Sequence, residues 1–304
     1  MGKIAFIFPG QGSQQLGMGK DVFEEFSEIQ ELYYQVNERL GFDLKSIIFE
    51  DEDKLNLTKY TQPALVLTSY SLFYALKKSM PKLYPDYTAG HSLGEFSALV
   101  VSDSLNIVDA VWITHIRGKL MQEAVPEGVG GMAAIIGVSS KDIEEALKGI
   151  SGIVEIANYN SHEQTVISGE MHAVNEAMEI LREKGAKKVV PLAVSVPAHS
   201  SLLIEKASEF KEYLNEIEIR DAKIPIVSNV TGKPIREAEE IRKELEKHFY
   251  SPVKWVQSVE FMIGDNVKTF IEIGPKKVLT GLIKRISKEV NLINIQKIED
   301  IQKI

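Results

Sequence analysis

No cysteine occurs among the 304 residues, so disulfide frameworks, thiolate metal sites and thiol nucleophiles are all excluded. No apolar run approaches the ~18 residues of a membrane span. The opening apolar segment, broken at Pro9, lacks the longer hydrophobic region and small-residue cleavage site of a secretory signal. An excess of positive charge is also missing. The 35 Lys and Arg stand against 43 Asp and Glu, and the net charge of −8 repels a polyphosphate backbone. Neither nucleic acid nor membrane is an expected partner, and a cytoplasmic protein is expected. Two phosphate-binding signatures fail as well. Gly10-Gln11-Gly12 opens like a dinucleotide loop, but the place of the third glycine is taken by Gln15, and no Gly-Lys-Ser/Thr loop occurs.

What is present is a globular composition, 44% hydrophobic and 26% charged, long enough for one large domain or two smaller ones. Lys3 to Phe8 reads as a buried strand ended by Pro9 and the Gly10-Gln11-Gly12-Ser13 loop. Asp21 to Leu40 is expected to be one amphipathic helix, with Asp21 as its cap and Glu24 completing a capping pattern. A helix over Thr61 to Met80, a short strand over Tyr87 to Gly90, and helices over Ser92 to Val101 and Leu105 to Ala124 follow. From Met132 to Val194 the order becomes strand, helix, strand, strand, helix, strand, the ferredoxin-like βαββαβ unit inserted in a larger α/β body. Beyond Pro197 the larger pattern resumes, with helices near Leu202 to Asn215, Glu237 to His248 and Val278 to Ile286. Its strands lie at Pro225 to Val230, Val267 to Ile273 and Leu292 to Ile295.

Gly90-His91-Ser92-Leu93-Gly94 matches the G-x-S-x-G elbow, in which small flanking residues let a strained strand-to-helix turn present a serine hydroxyl. The helix that follows aims its first N–H groups at charge developing beside that oxygen. A serine that merely caps a helix after a glycine turn would look the same. A nucleophilic serine needs a base. Of six histidines, His199 stands just after a strand where Pro197 constrains the backbone, whereas His91 reads as a packed neighbour of the serine. Arg117 shares a helix face with Ala110, Ile113, Thr114 and Met121. A cation on an apolar face wants an anion, either an internal carboxylate or the carboxylate of a substrate. The Gly10 to Ser13 loop suits close backbone approach and donation of a main-chain N–H to an oxyanion.

With these residues in hand, ordered motifs from end to end resemble the malonyl-CoA:acyl carrier protein transacylases of fatty-acid synthesis, relatives of polyketide synthase acyltransferase domains. They are FPGQGSQ (Phe8 to Gln14), TQPAL (Thr61 to Leu65), GHSLGE (Gly90 to Glu95), RGKLMQ (Arg117 to Gln122), QTVISG (Gln164 to Gly169), VPAH (Val196 to His199), SNVTG (Ser228 to Gly232) and EIGPKKVLTGLIKRI (Glu272 to Ile286). The resemblance implies an α/β fold. A hydrolase-like large subdomain with a mostly parallel sheet (1–127 and 197–304) carries the inserted ferredoxin-like small subdomain (128–196).

It also implies ping-pong acyl transfer: Ser92 takes malonyl from malonyl-CoA and passes it to the phosphopantetheine thiol of holo acyl carrier protein. His199 would serve as base and then acid, the main-chain N–H groups of Gln11 and Leu93 as oxyanion hole, and Arg117, with Met121 beside it, as the site for the malonyl carboxylate. No cofactor and no metal are implied, and a monomer is expected. In the family the catalytic histidine is oriented by a main-chain carbonyl, which maps here to His248. Ala198 precedes the histidine where malonyl and methylmalonyl enzymes differ. An acidic carrier protein would dock on a local basic patch, for which Lys187, Lys188, Lys276, Lys277, Lys284 and Arg285 are candidates. Two other readings share the elbow or the surface: a serine hydrolase or thioesterase, and a non-catalytic carrier-binding module.

Overall fold

The computed structural model describes residues 2–126, 128–194 and 196–304, so the expected boundary at Glu127 lies outside the described residues. In chain order the strands are Lys3–Phe8 (β1), Tyr87–Gly90 (β2), Gly130–Ile136 (β3), Val154–Ser161 (β4), Gln164–Glu170 (β5), Lys188–Pro191 (β6), Ile226–Val227 (β7), Pro234–Ile235 (β8), Val267–Ile273 (β9) and Asn291–Ile295 (β10). They form two sheets. The larger runs β10-β9-β1-β2-β7-β8 and is parallel except where β8 turns back on β7. Alternate residues of β1 point to opposite faces: Phe6 and Phe8 enter one apolar cluster, Ala5 and Ile7 another. A strand buried on both sides belongs inside a helix-covered parallel sheet, and β1 is its central strand.

The smaller sheet, β4-β5-β3-β6, is antiparallel throughout. Helices Ser140–Leu147 and Met171–Glu183 bury Ile143, Ala146, Val174 and Leu181 against it. Strand and helix order is the expected βαββαβ, with the edges of each element shifted by a few residues. Strand β4 of the smaller sheet is bonded to the segment before helix Trp255–Gly264, Tyr159 N–H to Val253 O at 2.9 Å and Val253 N–H to Ala157 O at 2.8 Å. No described helix is long and apolar enough to cross a membrane.

The structure departs from expectation at four points. The single Asp21 to Leu40 helix is two, Lys20–Glu25 and Ser27–Leu40, separated by an extended Phe26 (φ −116°, ψ 115°) whose ring packs edge-on against Tyr74. Asp21 does not cap, because its carboxylate accepts the Ile298 N–H at 2.8 Å and so ties down the C-terminal segment. Helix Trp255–Gly264 has no counterpart in the sequence reading. Trp255, Val256, Val259 and Met262 are buried while Gln257 and Glu260 are exposed on the other side, so the helix carries a short amphipathic pattern that the sequence reading passed over. Finally, the helix after the elbow starts at Gly94, not Ser92, because Ser92 takes a conformation no helix contains. The carboxyl ends of β1 and β2 open on one crevice, the place where parallel α/β sheets present their sites.

Candidate active site

The crevice is organised by the turn after β2. Ser92 has φ 50°, a left-handed conformation that costs a non-glycine residue of order 1–3 kcal/mol and persists only when its surroundings hold it. The two flanking glycines make the turn possible by letting backbones touch. A Cβ on Gly90 would lie 1.9 Å from the Gly94 carbonyl carbon, and one on Gly94 would lie 2.0 Å from the Phe8 carbonyl oxygen. The elbow is therefore welded to the end of β1, and the hydroxyl stands clear of the sheet.

His199 meets it from the far end of the chain. It too is left-handed, at φ 60°, in the loop behind Pro197, and its N–H donates to Phe249 O at 3.0 Å. Its Nε2 lies 2.8 Å from Ser92 Oγ, and its Nδ1 3.0 Å from Ser251 O. A carbonyl can only accept, so Nδ1 carries the proton and Nε2 presents a lone pair to the serine. Burial, then the nearby Arg117 and His91, push the ring down to about 3, and carbonyls oppose this. The ring is thus neutral at physiological pH and free to accept a proton.

Two carbonyls orient the ring: Ser251 O, bonded to Nδ1, is the stronger, and the expected His248 carbonyl is the second. Helix Ala238–Lys247 ends at His248, and the following turn, with Ser251 N–H bonded to Lys247 O, brings the Ser251 carbonyl round to the same ring. The His248 side chain packs against His199 with ring centroids 5.4 Å apart, and burial holds its ring well below the usual range. His91 is packed as expected, against Trp255 and bonded to Asn160 Oδ1 at 2.7 Å.

Arg117, on helix Ile107–Glu123, is 1% exposed. Its Nη1 donates to Gln62 Oε1 at 2.8 Å and its Nη2 to Ser92 Oγ at 3.4 Å, while Nε has no partner. Among the described residues no carboxylate lies within ion-pairing distance of it. Burial lowers its pKa to about 10, against the influence of Glu95, so it remains a cation at neutral pH. Glu95 is a poor counter-ion, since burial and then the neighbouring Glu244 push its carboxyl well above the usual range. A buried cation without an anion is costly unless an anion arrives with the ligand.

Gln11, Gln62, Leu93 and Met121 join Ser92, Arg117 and His199 around a cavity of about 140 Å³. Among the described residues neither the Gln11 N–H nor the Leu93 N–H donates to a protein acceptor, so both are free for an oxygen placed in the cavity. Met121 is held there by Gln62, whose Nε2 lies 3.4 Å from its Sδ. Gln62, in the TQPAL motif, was given no role by sequence reasoning, although an amide in a buried helix face was the available signal. Among the described residues no three His, Asp or Glu side chains are grouped to hold a metal ion. The basic candidates partly converge. Arg285 donates to Gln164, which pairs with Ile136 in β3, and Ile136 pairs with Lys188. Lys276 instead turns to the Gly12 carbonyl.

Residues 5–302 match the acyl transferase domain family. A malonyl CoA-acyl carrier protein transacylase of Staphylococcus aureus is 45% identical over 99% of this chain and 98% of its own length. An acyl carrier protein S-malonyltransferase from Vibrio cholerae superposes with a TM-score of 0.95 at 38% identity, covering 99% of each chain. A malonyl-transacylase solved in complex with its type II PKS acyl-carrier protein gives 0.95 at 39% identity, over 99% of this chain and 98% of that one. Paired serine and histidine, free N–H donors and an end-to-end match lead to one conclusion: the chain belongs to the acyl transferase domain family.

Proposed function

We propose that this protein transfers malonyl from malonyl-CoA to the phosphopantetheine thiol of acyl carrier protein, in fatty-acid synthesis, through a malonyl ester on Ser92. The observation that carries this reading is Arg117, a buried cation with no carboxylate within ion-pairing distance among the described residues, 3.4 Å from the serine oxygen. The names of the relatives support the same donor and acceptor.

The geometry suits the following steps. Ser92 Oγ attacks the thioester carbonyl as His199 Nε2 takes its proton, and the Ser251 carbonyl holds the ring by its Nδ1–H. Oxyanion charge falls on the Gln11 and Leu93 N–H groups. Collapse expels the CoA sulfur, which takes the proton from His199 and leaves the ester. The carrier thiol then gives its proton to the same nitrogen, attacks the ester, and Ser92 recovers the proton as it leaves. No carboxylate is required behind the histidine, and every group used belongs to the chain or its substrates. A bidentate bond from Arg117 to the free carboxylate holds the acyl group in line. An acetyl group would leave that cation unpaired, which disfavours it.

The test is the intact mass of the protein after brief incubation with malonyl-CoA or acetyl-CoA. Malonyl-CoA is expected to add one malonyl group that holo carrier protein discharges, and acetyl-CoA far less. Steady release of free malonate without carrier and without an adduct would instead identify a hydrolase.

For the carrier we propose docking on the basic residues Lys187, Lys188 and Arg285, which meet around Ile136 and Gln164. Arg285→Glu is expected to raise the KM for carrier protein by about ten-fold, more steeply at low salt, because charges at an interface rim act mainly on encounter. Malonyl adduct formation from malonyl-CoA should not change, and stopped-flow measurement of the two half-reactions separates them.

A further inference from the structure

The elbow is held by a residue that the chemistry above does not use. Strand β7 pairs with β2 only at Ile226 with Thr88 and Val227 with Ala89, because the chain then turns, with Ser228 N–H bonded to Lys233 O. The side chain of Asn229 carries the pairing onward. Its Oδ1 accepts the Ser92 N–H at 2.7 Å and its Nδ2 donates to Gly90 O at 2.6 Å. The two bonds fix which way the amide faces, since a flipped amide would set donor against donor and oxygen against oxygen. Asn229 is 1% exposed and does not line the substrate cavity. It is itself fixed at both ends: its N–H donates to Glu95 Oε2 at 3.0 Å and its carbonyl accepts the Lys254 N–H at 2.8 Å. His248 Nε2 lies 3.3 Å from the same Oδ1.

We propose that Asn229 is a positioning residue for acyl transfer: its amide clamps the chain on both sides of His91, keeps Ser92 left-handed, and occupies the Ser92 N–H so that the Leu93 N–H is the elbow donor left for the oxyanion. The proposal rests on the reading of Ser92 as nucleophile. It explains why a non-glycine residue keeps φ 50° here. A strained conformation survives where its surroundings over-determine it, and the amide supplies two bonds across one residue. Because Asn229 touches no substrate, it should act on the rate of acylation and leave binding alone.

Two variants test this, each followed by the rate of malonyl adduct formation over a range of malonyl-CoA concentrations. Asn229→Ala should lower the saturated rate about 10- to 100-fold and leave the KM for malonyl-CoA within about two-fold, since two buried bonds are lost and their partners stranded. A wild-type rate in a folded Asn229→Ala protein would overturn the proposal. Asn229→Asp keeps the shape, so it decides the matter even if the Ala variant does not fold. Protonated, the carboxyl can still donate to Gly90 O and accept from the Ser92 N–H. Ionised, it faces a carbonyl oxygen with negative charge. The groups around it are Glu95 on helix Gly94–Val101, Glu244 and His248 from helix Ala238–Lys247 and its end, Arg117 on its own helix, and His199. Burial beside two acids favours the protonated form. The ratio of Asn229→Asp to wild-type rate should therefore rise about ten-fold or more between pH 8 and pH 6. A ratio below about one-tenth at pH 8 that does not rise toward pH 6 would overturn the proposal while wild type still forms its adduct, whereas a wild type without an adduct would remove the underlying reading as well.

Discussion

Ser92→Ala is expected to form no malonyl adduct at all, and His199→Ala to form it ~10²–10⁴-fold more slowly, the usual contribution of a positioned general base. The two variants differ in kind because the serine supplies the bond and the histidine only the proton path. Measured by quenched-flow mass analysis, a His199→Ala rate within a few-fold of wild type would mean that another group takes the proton. The pH profile provides a second check with a definite sign. Burial and the Arg117 charge hold the His199 ring down at about 3, below its ordinary 6.5. The base form is therefore already complete well below neutrality. Acylation of the free enzyme, read as kcat/KM, should stay level as pH falls through 6.5 and decline only in more acidic solution. A midpoint at 6.5 would mean a solvated ring, at odds with its burial.

Arg117→Ala is expected to lower malonyl acylation by roughly 10²–10³-fold, the size associated with removing one partner from a buried charge pair. Acetyl transfer should change far less, so the preference between the two donors should largely vanish. Preserved preference would assign the carboxylate to another group. Arg117 also bears on His199, because its charge is the second cause, after burial, of the depressed ring. Removing the cation should raise the pKa of the ring and move the acid limb of kcat/KM upward in pH. A bound malonyl carboxylate, by offsetting the same cation, should act in the same direction in wild type, so that the limb of kcat lies above that of kcat/KM. Arg117→Lys keeps the charge but loses the fork, and Gln62 then loses its bond to Nη1. It should fall between wild type and Ala.

What could be read from the chain was what depends on local backbone chemistry. The glycines of the elbow, Pro197 before the histidine, the alternation in β1 and the βαββαβ order each report on conformations set by a few neighbouring residues. Each has its counterpart in the structure, within shifts of a few residues at element ends. Arg117 was legible as a cation on an apolar face, but two partners remained open for it. The fold removes the internal one, because Glu95, the acid whose charge bears on it, is buried beside Glu244 and held toward its neutral form. Local rules misled where a residue was claimed by a distant partner. Asp21 had the signature of a cap, yet its carboxylate bonds the backbone at Ile298. Helix Trp255–Gly264 has its own short amphipathic pattern, Gln257 and Glu260 exposed against buried Trp255, Val256, Val259 and Met262, but it spans only ten residues between a proline-containing turn and the next strand and was passed over.

By itself, then, the sequence determined the strand-turn-serine-helix unit, the two-sheet α/β architecture and the identity of Ser92, His199 and Arg117 as the residues to examine. Only the tertiary structure decided that the Ser251 carbonyl joins the His248 carbonyl at the His199 ring and is the stronger of the two, and that Asn229 spans the elbow 137 residues away in sequence. Side-chain type and local spacing set what a residue can do with its neighbours. Which carbonyl or amide arrives within 3 Å depends on how turns and helices far along the chain pack, and a shift of one residue in a turn exchanges one carbonyl for another.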